Sequence, residues 1–242
     1  MSAGAPSEAQ IRTALTAVRD RIAQAAARVG RQADEITLVG VAKRKSAEAA
    51  AAAVRCGLRD IGENYVQEAT AKIPAANALL AATKHAAPRW HFIGQLQRNK
   101  AGAVARDFDV IQTVDRTRLG DALARHAEGR AERLAITLQV NLSDEPQKGG
   151  VAPDSLPELL AASRAWRSLR VTGLMAIPAA AADPEASRPA FAQLRSLRDA
   201  LRAEPGGEDL HELSMGMSQD FEVAIEEGAT IVRVGAAIFG AR

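Results

Sequence analysis

Apolar and polar positions change period repeatedly along this chain, and each change marks a candidate element. Over residues 7–30 the apolar side chains Ile11, Leu15, Val18, Ile22 and Ala25 recur at helical spacing, with arginines on the other faces. Ser7 is placed to cap that helix and Gly30 to end it. Beyond it, short apolar runs alternate with helical stretches. The runs predict eight strands, over 36–42, 60–63, 90–93, 110–114, 135–141, 171–176, 212–214 and 231–234. Helices are predicted between them, over 47–56, 66–82, 100–106, 116–131, 155–168, 189–203 and 219–227. The Ala/Pro-rich stretch 179–189 reads as a surface loop.

Strand alternating with helix means parallel strands joined by crossovers. Runs such as ITLVGVA and AITLQVN are apolar almost throughout, as strands covered on both faces must be. Eight such units in 242 residues predict the α/β class, as a (β/α)8 TIM barrel with few insertions. A doubly wound open sheet is the rival, but it usually opens on a glycine-rich turn, and no G-x-G occurs here. With no internal repeat and no long linker, 1–242 is expected to form a single barrel domain, with 1–30 as an added N-terminal helical segment.

Composition narrows the function. Formal charge is +2 and only eight residues are aromatic, which argues against a nucleic-acid partner. No run approaches the ~18 apolar residues of a membrane span. One cysteine, Cys56, and a polar N-terminus fit a soluble protein of the cytoplasm. The four histidines have no metal-ligand spacing, and the Walker, H-E-x-x-H and G-x-S-x-G motifs are absent. Arginine outnumbers lysine 25 to 6. In such a chain each of Lys43, Lys45, Lys72, Lys84, Lys100 and Lys148 is a position where an amine, and not merely a charge, could be required.

Barrel chemistry gathers at the C-terminal ends of strands. Those ends carry Lys43 after the first strand, Asn64 and Tyr65 after the second, and Gly94-Gln95 after the third. Asp115, Asn141 and Ile177-Pro178 follow the next three. The seventh is followed by Ser214-Met215-Gly216-Met217-Ser218, and the eighth ends on Arg233 before Gly235-Ala236. The last two loops are the usual phosphate site of a barrel, and Ser218 reads either as part of it or simply as the cap of the next helix. Lys43 ends the most apolar strand, which suits a nucleophilic amine, although a salt-bridged lysine fits too. Lys45 reads as solvated. A phosphate loop facing a lysine suggests a phosphorylated carbonyl compound held as a Schiff base, and both pyridoxal phosphate and a sugar-phosphate aldolase substrate satisfy that. Arg233 favours the first, because a permanent cation can face a pyridine nitrogen. Its plain alternative is an ion pair with Glu63.

The runs VAKRKS, GENYVQEA, WHFIGQLQRNK, GLMAIP, LSMGMSQDFEVAIEEGAT and VRVGAAIFGAR resemble the YggS/PROSC family of pyridoxal-phosphate homeostasis proteins, from about Ile36 to Arg242. The resemblance implies a barrel like the N-terminal domain of alanine racemase, with pyridoxal 5′-phosphate on Lys43 and Asn64 beside it. It implies further that Ser214, Met217, Ser218, Gly235 and Ala236 form the phosphate side, with Arg233 at the pyridine nitrogen. Ala236 departs from the pattern, since many members have threonine there.

Two functions follow from the resemblance. One is a cofactor-binding protein, not an enzyme, that stores or delivers pyridoxal phosphate to apo-enzymes. The other is a racemase-like enzyme. Racemisation needs a second acid or base on the face opposite the lysine. The alanine racemases supply it from a C-terminal domain, and here the sequence stops soon after Val234. Tyr65 is the first candidate for such a base if one is present. The expected state is a monomer.

Overall fold

The computed structural model describes residues 6–143, 149–179 and 182–240. Eight parallel strands close on themselves in sequence order, with the last paired to the first. They are β1 (Thr37–Val41), β2 (Asp60–Glu63), β3 (Arg89–Phe92), β4 (Val110–Val114), β5 (Leu134–Val140), β6 (Leu169–Ala176), β7 (Glu212–Ser214) and β8 (Ile231–Val234). The helices are α1 (Glu8–Arg28), α2 (Ala47–Arg55), α3 (Val66–Ala82), α4 (Ala101–Asp107), α5 (Thr117–Ala127), α6 (Leu156–Ser163), α7 (Arg188–Leu201), α8 (Phe221–Glu226) and the short α9 (Ala236–Phe239).

The first helix forms as its pattern requires. Ser7 and Gln10 make a reciprocal capping box, satisfying two of the N–H groups that a helix start leaves orphaned. Gly30 follows the helix at φ 69°, a left-handed conformation that glycine adopts without a Cβ penalty. Ile11, Leu15, Val18, Ile22 and Ala25 are buried, and α1 packs against α2, α8 and α9. It thus covers the seam where β8 meets β1.

Several boundaries differ from expectation: α5 ends at Ala127, four residues early, and α8 is confined to Phe221–Glu226. The sixth helix stops at Ser163, five residues short of expectation, because Trp166 turns inward. Its indole N–H donates to Asp121, and its ring lies where a Cβ on Gly120 would stand. The stretch expected as a loop after β6 carries a 3-10 turn over Pro184–Ser187, and α7 begins at Arg188; residues 180–181 lie outside the described set. Among the described residues no helix is long and apolar enough to cross a membrane. None of them forms a cluster of histidine, cysteine and acidic side chains able to hold a metal ion.

Candidate functional site

A cavity of about 450 Å³ opens at the C-terminal ends of β1, β2 and β8. Seven of the eight residues singled out from the sequence line it: Lys43, Asn64, Met217, Ser218, Arg233, Gly235 and Ala236. Strand geometry explains the gathering. Parallel strands in a barrel all end at one rim, so residues 190 positions apart in sequence become neighbours. A wider depression lies at the opposite end, between α5 and the start of β5, but half of its lining residues are charged and none of the residues singled out from the sequence reaches it.

Lys43 sits at the second position of a four-residue turn closed by the Lys45 N–H donating to the Ala42 carbonyl at 3.0 Å. Arg44, next in the turn, has φ 59°, and its guanidinium lies 5.7 Å from the centre of the Tyr65 ring. Asn64 directly follows β2, and its Oδ1 is buried without a hydrogen-bond partner among the described residues. A buried amide oxygen in that condition is unfavourable unless something else fills the need.

Arg233 is 3% exposed. Its Nη1 donates to the Ser214 hydroxyl at 2.5 Å and its Nη2 to the Ala176 carbonyl at 2.9 Å. Burial pulls its guanidinium down to about 10, with Asp220 opposing the shift, so it stays a cation at neutral pH. The expected alternative, an ion pair with Glu63, is not formed; Glu63 bonds to Lys72 at 2.8 Å instead.

Ser214 is the expected residue that does not reach the cavity. It is fully buried, and its hydroxyl donates to Gln112 Oε1 at 2.6 Å while accepting from Arg233. Gln112 Nε2 bonds in turn to His91 Nδ1 at 2.9 Å, and His91 Nε2 to Asp60 at 2.9 Å. Since the amide nitrogen is a donor, His91 accepts at Nδ1 and carries its proton on Nε2. A run of polar side chains therefore crosses the barrel interior and ends on Arg233.

Ser218 is not a helix cap. The helix after it starts at Phe221, and the Ser218 hydroxyl accepts from the Gly235 N–H at 3.3 Å, tying the loop after β7 to the loop after β8. Asp220, missed in the sequence, fixes that loop: its carboxylate accepts from the Met217 N–H at 2.7 Å and from the Ser187 hydroxyl at 3.0 Å. Gly216 lies in the same loop at φ 89°, where a Cβ would stand 2.6 Å from that of Ala224. Lys45 corrects a second expectation. It is not free in solvent but lines the cavity and donates to the carbonyls of Phe239 and Gly240, at 2.9 and 3.2 Å. Lys148 lies outside the described residues.

Residues 14–242 match the family described as alanine racemase, N-terminal domain. The pyridoxal phosphate homeostasis protein of Pseudomonas aeruginosa is 44% identical, over 93% of each chain. This chain belongs to the pyridoxal phosphate homeostasis family. The homeostasis protein of Escherichia coli K12 is 42% identical over 94% of this chain and 95% of its own. Among solved structures, PipY of Synechococcus elongatus with PLP bound superposes with a TM-score of 0.81 at 33% identity, covering 95% of this chain and all of PipY. The alanine racemase of Corynebacterium glutamicum shares the fold, with a TM-score of 0.67 at 17% identity and 62% of its chain covered. The two functions weighed from the sequence separate here. Homeostasis proteins match along nearly their whole length, whereas the racemase shares architecture alone.

Proposed function

We propose that this homeostasis protein binds pyridoxal 5′-phosphate at the barrel mouth through Lys43 and keeps it as an exchangeable store for apo-enzymes. The observation that carries the reading is the meeting of Lys43, the unpartnered Asn64 oxygen and the buried Arg233 cation on one cavity. A volume of about 450 Å³ is within the range of small-cofactor pockets.

When bound, the cofactor supplies an aldehyde open to a primary amine and a ring that withdraws electrons. Lys43 offers that amine. Asn64 Oδ1 offers an acceptor to a ligand hydroxyl, which would relieve its unpaired state. The Met217–Ser218 and Gly235–Ala236 loops hold the phosphate, with the Ser218 hydroxyl as donor. Ser214 belongs one layer lower, where it orients Arg233.

Two features favour storage over turnover on amino acids. A permanent cation at Arg233 disfavours protonation of a nearby ring nitrogen and so weakens the ring as an electron sink. Racemisation also needs a second acid or base. Among the described residues lining the cavity the ionisable groups are Lys43, Lys45, Asp220 and Arg233, and Asp220 and Lys45 are engaged with backbone groups. Tyr65, the first candidate for that role, does not line the cavity; it is 42% exposed and stacks with Arg44. The proposal requires no nucleic acid, no membrane and no second subunit.

Borohydride treatment of the loaded protein followed by peptide mapping tests the reading. One pyridoxyl group is expected on Lys43, and Lys43→Ala should lose the visible band of the bound cofactor. Labelling of Lys45 instead would overturn the assignment. Loaded protein should also reactivate an apo-enzyme on mixing, and a failure to release the cofactor would remove the storage role.

A further inference from the structure

Three charged residues of the GENYVQEATAK stretch take no part in the cavity, yet they converge on the turn that carries Lys43. Lys72 of α3 is 6% exposed and has three acceptors around its ammonium. These are the Ala42 carbonyl at 2.7 Å, Glu63 at 2.8 Å and Glu68 at 2.6 Å. The same Glu68 oxygen accepts the Arg44 N–H at 2.6 Å. The peptide group on each side of Lys43 is thus held by α3, one through its carbonyl and the other through its N–H.

Those bonds fall where the turn is least stable on its own. A left-handed residue in such a turn is ordinarily glycine or asparagine, because a Cβ is unfavourable there. Here it is Arg44. The bond from Glu68 to the Arg44 N–H favours this conformation, and the aim of the Lys43 side chain depends on it. The chain's rarity of lysine also makes sense at position 72. A compact ammonium suits three acceptors crowded around one point, whereas a planar guanidinium would spread them over three nitrogens.

We propose that Glu68 and Lys72 are positioning residues for Lys43, pinning the turn from α3 so that its amine is presented to the cavity in one orientation. The inference deepens the cofactor reading and rests on it. It differs from a stabilising role because it concerns only the aldehyde-accepting step and not the binding of the phosphate or ring.

The test therefore uses two ligands, pyridoxal 5′-phosphate and deoxypyridoxine phosphate, which lacks the aldehyde. Glu68→Ala should slow condensation with the first by roughly tenfold to a hundredfold, the usual penalty for a misplaced reacting group. Its affinity for the second should stay at the wild-type value. Glu68→Gln, which keeps an acceptor for the Arg44 N–H, should restore most of the rate. The paired change of Glu63→Gln with Lys72→Met leaves no buried charge behind, so it remains foldable, and it should reproduce the selective slowing. Condensation of Glu68→Ala at the wild-type rate would overturn the proposal, as would equal loss of both ligands. A wild-type protein that binds neither ligand would overturn the cofactor reading itself.

Discussion

Lys72 lies beneath the β1–β2 side of the barrel mouth, with two carboxylates and a backbone carbonyl in hydrogen-bond reach. Arg233 lies on the β8 side, equally buried, and its side-chain partners are a serine hydroxyl and a backbone carbonyl. The first cation is neutralised where it stands. The second is held by dipoles that fix its position without cancelling its charge. Burial is unfavourable for both, but only Lys72 has carboxylates bonded to it. The difference separates structure from function: a cation bonded to carboxylates organises its surroundings, whereas one bonded only to dipoles keeps more of its field for a ligand.

Removing each cation gives the largest expected contrast. Lys72→Met leaves Glu63, which is fully buried, without its counter-ion and should cost about 3–5 kcal/mol in chemical denaturation. Arg233→Met leaves only a serine hydroxyl and a backbone carbonyl without their donor and should cost less, about 1–3 kcal/mol, while cofactor affinity collapses. The Lys72 loss should depend on pH. Burial pushes the Glu63 carboxyl up to about 7, against the opposing pull of Lys72. A raised carboxyl binds its proton more tightly in the native state, so its contribution to stability falls as pH rises from about 4.5 to about 7. Without Lys72 the carboxyl moves higher still. The variant's deficit should therefore be small at pH 5 and grow as pH rises past about 7. Equal losses for both variants, independent of pH, would erase the distinction between the two cations.

Ser214 sharpens the comparison at intermediate size. If it acts through Arg233 and not on the phosphate, Ser214→Ala should weaken pyridoxal and pyridoxal phosphate alike, by about 1–3 kcal/mol. Loss confined to the phosphorylated ligand in equilibrium titrations would instead bring the Ser214 hydroxyl to the phosphate.

The arginine and the lysine also differed in how far they could be read from sequence. Strands β2, β4, β7 and β8 and helix α3 fall on their expected residues, because each is a bounded apolar or amphipathic run. Once eight parallel strands are assigned, Lys43, Asn64 and Arg233 must share a rim, so their meeting was legible. What surrounds them was not. The Ser214–Gln112 bond spans 102 residues, and no spacing rule foretells which interior side chains will pair across a barrel. Gln112 did leave a trace, as one of two polar residues inside the wholly buried strand VIQTV. Lys72 left another, as one of six lysines in an arginine-rich chain. Its partners were hidden because Glu63 ends a strand while Glu68 lies on a helix, and only packing brings the two together.

The smallest expected effect concerns Ala236, on the Arg233 side. It lines the cavity, is exposed, and is the position at which the sequence departs from the family pattern it resembles. The loop around it is already formed: Gly235 is bonded to Ser218, and α9 follows directly. A hydroxyl added at 236 thus needs no rearrangement and would meet a phosphate rather than a protein group. Ala236→Thr should tighten pyridoxal phosphate by about 1 kcal/mol, roughly fivefold, the net value of one more hydrogen bond. Pyridoxal should bind as before, because the new donor has no partner on it. Absorbance titrations of the variant with both ligands read the difference. A gain for pyridoxal of the same size would mean that residue 236 faces the ring, and the phosphate would then have to be moved away from the loop after β8.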